Sequence, residues 1–199
     1  MVWCVVEGES EKSYLTQLVH QRYRKRIVIR CETPRGKSVK NLVKKAREIE
    51  RRERGNAHSI WIVCDVDENR QHGHDSEAKR WLSATAKRNA PLHRIALSHP
   101  CLEYWFLLHY DRSPGADRAD SAVSELSQHC ASPDGYRKGQ LPPGLIEHTD
   151  NAVIRSLARV AREDEAGRHD MWARERCTTM HELIEYLDEV AKLQTDFVS

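Results

Sequence analysis

Four short apolar runs, each followed by a stretch of helical periodicity, constrain this chain's fold more than any other feature of its sequence. The runs are Val2–Val6, Ile27–Cys31, Ser59–Cys64 and His93–Leu97. Short runs rich in valine and isoleucine are what strands buried on both faces look like. Between them, Tyr14, Leu15, Leu18 and Tyr23 fall on one helical stripe after a Ser10 cap. Val39, Leu42, Val43, Ala46 and Ile49 fall on a second after a Ser38 cap. A third helix is expected over about 75–88. The order β-α-β-α-β-α-β with short connections predicts an α/β fold, a mostly parallel four-stranded sheet with helices on both faces.

The segment Pro100–Tyr110 reads as a helix that is apolar almost all round, and therefore buried. After Asp111 the character changes. Ser113-Pro114-Gly115 breaks the chain, and helices are expected at Ser121–Cys130, 147–163 and 178–193. The last opens with Thr179-x-x-Glu182, the pattern of a capping box. Residues 1–112 are accordingly read as an α/β catalytic core and 113–199 as a helical extension packed on it.

In a doubly wound sheet the working site lies beyond the carboxyl ends of the strands. The first strand ends in Glu7-Gly8 and the third in Asp65-Val66-Asp67. Asp65 and Asp67 share a face if extended geometry persists. Paired carboxylates repel, and a hard divalent cation relieves that repulsion, so Glu7, Asp65 and Asp67 are the expected ligands of Mg²⁺, with Mn²⁺ as the alternative. Glu103 stands in the apolar helix just beyond the fourth strand. It is either a further ligand or general acid/base, or one half of a pair with a nearby Arg or Lys.

No run approaches the ~18 apolar residues of a membrane span. The N-terminus carries no basic leader, so a cytoplasmic protein is expected. The six cysteines show no C-x-x-C pairing and read as small buried thiols, and His72-x-His74 reads as a loop. Net charge is only +2. Yet fourteen Lys/Arg stand against four Asp/Glu between Gln21 and Gly55. That stretch is either a phosphate footprint, with Arg35, Lys37, Lys40 and Lys44 as the contacts, or a solvated helix face laced with Glu–Lys pairs.

Two rival motifs fail. Asp65-x-Asp67-x-Asn69 begins like an EF-hand loop, but Arg70 stands where glycine is required and Ser76 where glutamate is. The stretch from Cys31 to Gly36-Lys37-Ser38 resembles a phosphate-binding loop, but Cys31 replaces its first glycine and Pro34 interrupts it.

Taken together, Glu7-Gly8 and Asp65-Val66-Asp67 resemble the signature of TOPRIM domains. The chain more narrowly resembles the RloB-like family. The opening from Glu7 to Tyr14, the segment Ser98-His99-Pro100-Cys101-Leu102-Glu103-Tyr104-Trp105, the later Tyr136-Arg137-Lys138 and the closing Thr178-Thr179-Met180 carry that likeness. His99 departs from it, standing where the family usually has asparagine. The resemblance implies a TOPRIM-like fold and an Mg²⁺-dependent nuclease. It also implies an ABC- or AAA-type ATPase partner in a phage-defence or restriction setting. Glu7, Asp65 and Asp67 would hold the ion, Glu103 or Glu11 would complete the site, and Lys138 would stabilise charge on the phosphate. Two other functions stay open, a metal- or nucleotide-binding module without turnover that partners an ATPase, and a nucleotidyl or phosphoryl transferase.

Overall fold

The computed structural model describes residues 1–24, 26–53, 56–66, 75–84, 92–111, 113–130 and 134–196. Five strands form one sheet: β1 (Val2–Val6), β2 (Ile29–Glu32), β3 (Ser59–Asp65), β4 (Leu92–His99) and β5 (Cys177–Thr178), in the order β2-β1-β3-β4-β5. The first four are parallel, and β5 is antiparallel to β4. The helices are α1 (Glu9–Gln21), α2 (Val39–Arg52), α3 (Asp75–Ser83), α4 (Leu102–Tyr110), α5 (Ala119–Ser127), α6 (Thr149–Glu165) and α7 (Met180–Asp196).

Alternating strand residues feed two cores, one on each face of the sheet. Val2, Cys4 and Val6 of β1 pack with Tyr14, Leu15 and Leu18 of α1 and with Trp105 and Phe106 of α4. Trp3 and Val5 pack on the other side with Leu42, Val43 and Ile49 of α2 and Trp81 of α3. All five β1 residues are buried, which is why the strand shows no polar alternation. The 113–199 segment belongs to the first core. Ala152 of α6 and Leu183, Ile184 and Leu187 of α7 join the cluster that holds β1 and α4. Arg22 just after α1 reinforces this junction with a two-pronged grip on Asp188, at 3.1 and 2.9 Å, and a 2.8 Å contact to Asp150.

Three sequence expectations are corrected. The sheet has five strands rather than four, because Cys177–Thr178 adds to the edge of β4. Two residues are too short a run for periodicity to reveal. Thr179 does not use its hydroxyl in a capping box; its Oγ1 accepts the Leu97 N–H at 3.0 Å, and its own N–H donates to the Leu97 carbonyl at 2.8 Å. Gly8, not Ser10, occupies the N-cap of α1. Among the described residues, no helix is long and apolar enough to cross a membrane, and all six cysteines are free thiols.

Candidate active site

The strand order reverses between β1 and β3. β1 connects outward to β2, and β3 connects outward to β4, so the two connections diverge and leave a crevice at their carboxyl ends. The register sets Val6 opposite Val63. Glu7 leaves the sheet one residue later, and Asp65 closes β3. The two meet directly, with the Asp65 backbone N–H donating to Glu7 Oε1 at 3.0 Å.

Glu7, Glu11, Asp65 and Glu103 line one cavity of about 170 Å³ at this crevice, together with Lys37 and Lys138. Glu11 is the third residue of α1, in the first turn after the N-cap Gly8. Glu103 sits in the first turn of α4 and is 3% exposed. Its partner is the Tyr136 hydroxyl, which donates to Oε1 at 3.2 Å. That hydroxyl also lies 3.4 Å from Ser10 Oγ, and Ser10 Oγ accepts the Gly139 N–H at 3.0 Å. The Tyr136–Gly139 segment is thus fastened to the start of α1, and the same segment carries Lys138.

The electrostatics follow from crowding four carboxyl groups in one place. Burial, then the charges of Glu7, Glu11 and Glu103, push the Asp65 carboxyl well above the usual range, against the pull of the Leu102 backbone N–H. Glu11 is also raised, chiefly by burial, with Glu103 adding to it; its own and Gly8's N–H groups and the Lys37 ammonium oppose the shift. Burial keeps the Tyr136 hydroxyl protonated far into the alkaline range, so it remains a donor.

The family model for the RloB-like protein matches residues 2–187. The chain belongs to the RloB-like family. No curated protein and no solved structure matches it. The RloB-like match runs from β1 into α7, so it takes in the carboxylates of the strand ends and also the Tyr136–Gly139 segment that contributes Lys138 to the cavity.

Within this RloB-like chain, the structure brings together Glu7, Asp65, Glu11, Glu103 and Lys138 from the expected site. Asp67 lies outside the described residues, as do His72 and His74. Among the described residues, no group of three or more His, Cys, Asp or Glu side chains is close enough to hold a metal ion. The donors present are carboxylate oxygens, the hard type that suits Mg²⁺ or Mn²⁺ rather than a soft thiolate-seeking ion. The four basic residues expected to contact nucleic acid separate. Lys37 lines the acidic cavity, Arg35 and Lys44 line a neighbouring cleft, and exposed Lys40 lines neither. Sequence reasoning did not single out the Tyr136 hydroxyl as the partner of Glu103, or Lys37 as part of the cavity wall. The signal for Tyr136 was the Tyr136-Arg137-Lys138 stretch, which carries part of the family likeness without naming what the tyrosine touches.

Proposed function

We propose that the chain is a TOPRIM-like, metal-dependent nuclease that hydrolyses nucleic-acid phosphodiesters, with Mg²⁺ or Mn²⁺ as its cofactor. One observation carries this reading: Glu7 just after β1, Glu9 and Glu11 of α1, Asp65 of β3 and Glu103 of α4 line a single cavity at the strand-order reversal, and Lys37 and Lys138 line it too. Glu7 and Asp65, with Asp67 next in the chain, are the residues that would hold the ion. A bound ion supplies Lewis-acid polarisation of the scissile phosphate and a lowered pKa for attacking water. Glu103, oriented by Tyr136, is the carboxylate available to move a proton at the reacting oxygen. Lys138 and Lys37 place positive charge where the phosphate gains negative charge. Glu7 and Asp65 stand at strand ends and Glu103 on a buried helix, rigid elements that fix the mutual geometry of these three carboxylates.

The test is cleavage of plasmid DNA and of RNA with Mg²⁺ or Mn²⁺. We expect Asp65→Ala and Glu103→Ala to abolish cleavage, and EDTA to do the same. Activity that survives EDTA or Asp65→Ala defeats the reading. The ATPase partnership implied by the family resemblance is tested separately, by co-purification with an ABC- or AAA-type ATPase and by ATP dependence of cleavage. A second reading, a binding module without turnover, draws on the engagement of Glu7 Oε1 by the Asp65 amide. Thermal stabilisation by Mg²⁺ with no cleavage of any substrate would favour it.

A further inference from the structure

A second cavity opens beside the acidic one. It has a volume of about 390 Å³, and Thr33, Arg35, Asn41, Lys44, Lys45 and Glu48 line it. Its charges are not equivalent. Lys45 is held by Glu32 at 2.9 Å and by Glu48 at 3.7 Å. Arg35 and Lys44 are exposed, and among the described residues neither is ion-paired. The cleft therefore offers a guanidinium, an ammonium and the Asn41 amide to an anion, with the local carboxylates already occupied by Lys45 and Arg52.

Its position relative to the acidic cavity gives this meaning. Arg35 lines the cleft and Lys37 lines the acidic cavity, with only Gly36 between them. Two residues of chain reach at most about 7 Å. The two side chains therefore leave the backbone close together, which sets the cleft within reach of a strand whose phosphate enters the acidic cavity. Gly36 makes the close approach possible. Its φ is +89°, and a Cβ there would stand 2.7 Å from Asn41 Nδ2.

We propose that the cleft of Arg35, Asn41 and Lys44 is a second phosphate subsite, which holds a backbone phosphate neighbouring the one at the acidic cavity. It rests on the nucleic-acid reading above, and it deepens that reading: the unit recognised is a run of phosphodiesters on one strand, not a lone nucleotide phosphate. Arg35 and Lys44 bind the neighbouring phosphate, and the Gly36 turn sets the spacing.

Fluorescence anisotropy with fluorescein-labelled single-stranded DNA and RNA oligonucleotides, in EDTA, reads this subsite without cleavage. Three variants of the full chain are compared with the natural protein: Arg35→Glu/Lys44→Glu, the charge-preserving Arg35→Lys/Lys44→Arg, and Lys192→Glu as a charge reversal outside the cleft. The first should weaken oligonucleotide binding by about tenfold or more, and reduce the salt slope by roughly 1.4, two contacts at ~0.7 each for a single strand. The charge-preserving variant should retain most of the affinity, which also shows that the cleft still folds. Unlabelled AMP should compete only weakly. Unchanged affinity and slope in Arg35→Glu/Lys44→Glu would overturn the subsite, as would an equal loss in Lys192→Glu. Displacement of the oligonucleotide by AMP at matched phosphate concentration would overturn the strand reading. Because no cleavage is measured, an inert acidic cavity would defeat the hydrolysis proposal and leave this result standing.

Discussion

Glu103 and Asp65 show how single residues divide the work of the cavity. Glu103 is buried and needs a donor, and Tyr136 supplies it. Removing that hydroxyl in Tyr136→Phe should leave the fold intact and slow cleavage by roughly 5- to 150-fold, since leaving a buried acceptor without its donor costs about 1–3 kcal/mol. If Tyr136 acts through Glu103, Tyr136→Phe should cost nothing further in a Glu103→Gln background. An additive loss would show a separate role. Asp65 poses the opposite problem, a carboxylate surrounded by its own kind. Neutralising it in Asp65→Asn should raise the thermal midpoint of the metal-free protein at neutral pH. Mg²⁺ should stabilise the natural protein and not the variant. At about 100 times its Kd, an ion contributes ~2.7 kcal/mol, or roughly 5–10 °C in a domain of this size. Differential scanning fluorimetry with and without MgCl₂ decides the point, and an equal response from both proteins would remove Asp65 from the ion site. At this scale the sequence was legible wherever a carboxylate stood next to a strand end. It marked Tyr136 through the Tyr136-Arg137-Lys138 stretch but not its pairing with Glu103, because nothing local distinguishes a tyrosine that reaches 33 residues across the chain from one that covers a loop.

The elements that build the site are those whose local signals agree. β1 and β3 are continuous apolar runs, so both their existence and their carboxyl ends could be read, and with them Glu7 and Asp65. α4 is apolar on every side, so its burial and the oddness of Glu103 were equally plain. What sequence could not supply was lateral order. The placement of β1 beside β3, which brings Glu7 to the Asp65 amide, is set by which helix crosses which face. The same holds for β5, whose two residues pair with β4 while Ser156 of α6 donates to the Thr178 carbonyl at 2.7 Å. The turn between β2 and α2 lies between these cases. Its Gly36 was visible, but the reason for it, a positive φ pressed against Asn41, was not. Gly36→Ala should therefore destabilise the chain by about 1–3 kcal/mol. It should also weaken oligonucleotide binding, because it displaces Arg35 and Lys37 together. Adding Asn41→Ala relieves the contact and not the backbone strain, so only part of the stability should return. Full recovery would show that φ at this position is of no consequence.

For the molecule as a whole, the carboxylate cavity and the helical core respond to acid in opposite directions. Asp65 and Glu11 take up protons more readily folded than unfolded, so their contribution to stability grows as pH falls through their raised range. His109 of α4 and His181 of α7 do the reverse. Burial lowers His109 to about 3 and His181 to about 4. His109 Nδ1 donates to the Trp105 carbonyl at 2.9 Å, while its Nε2 is buried with no partner among the described residues. His148 and Arg155 face it and further oppose a positive charge. His181 Nδ1 donates to Ser156 Oγ at 2.8 Å, Ser156 Oγ–H in turn donates to the Thr178 carbonyl at 2.7 Å, and Arg174 opposes protonation of the ring. Both rings are thus locked neutral where α4, α6 and α7 close over the sheet. A base whose folded pKa lies below its unfolded value stabilises the fold above about 6.5, and that stability is lost as pH falls from there toward 3–4. Each ring should contribute up to about 1.4 kcal/mol per pH unit across that window. Comparing the natural chain with His109→Asn/His181→Asn, which keeps an amide donor near each Nδ1, isolates this contribution from the opposing carboxylates. The variant should be less stable at pH 7 and lose less between pH 7 and pH 4.5 in urea unfolding. Parallel curves for the two proteins would mean that the acid response belongs to the cavity alone.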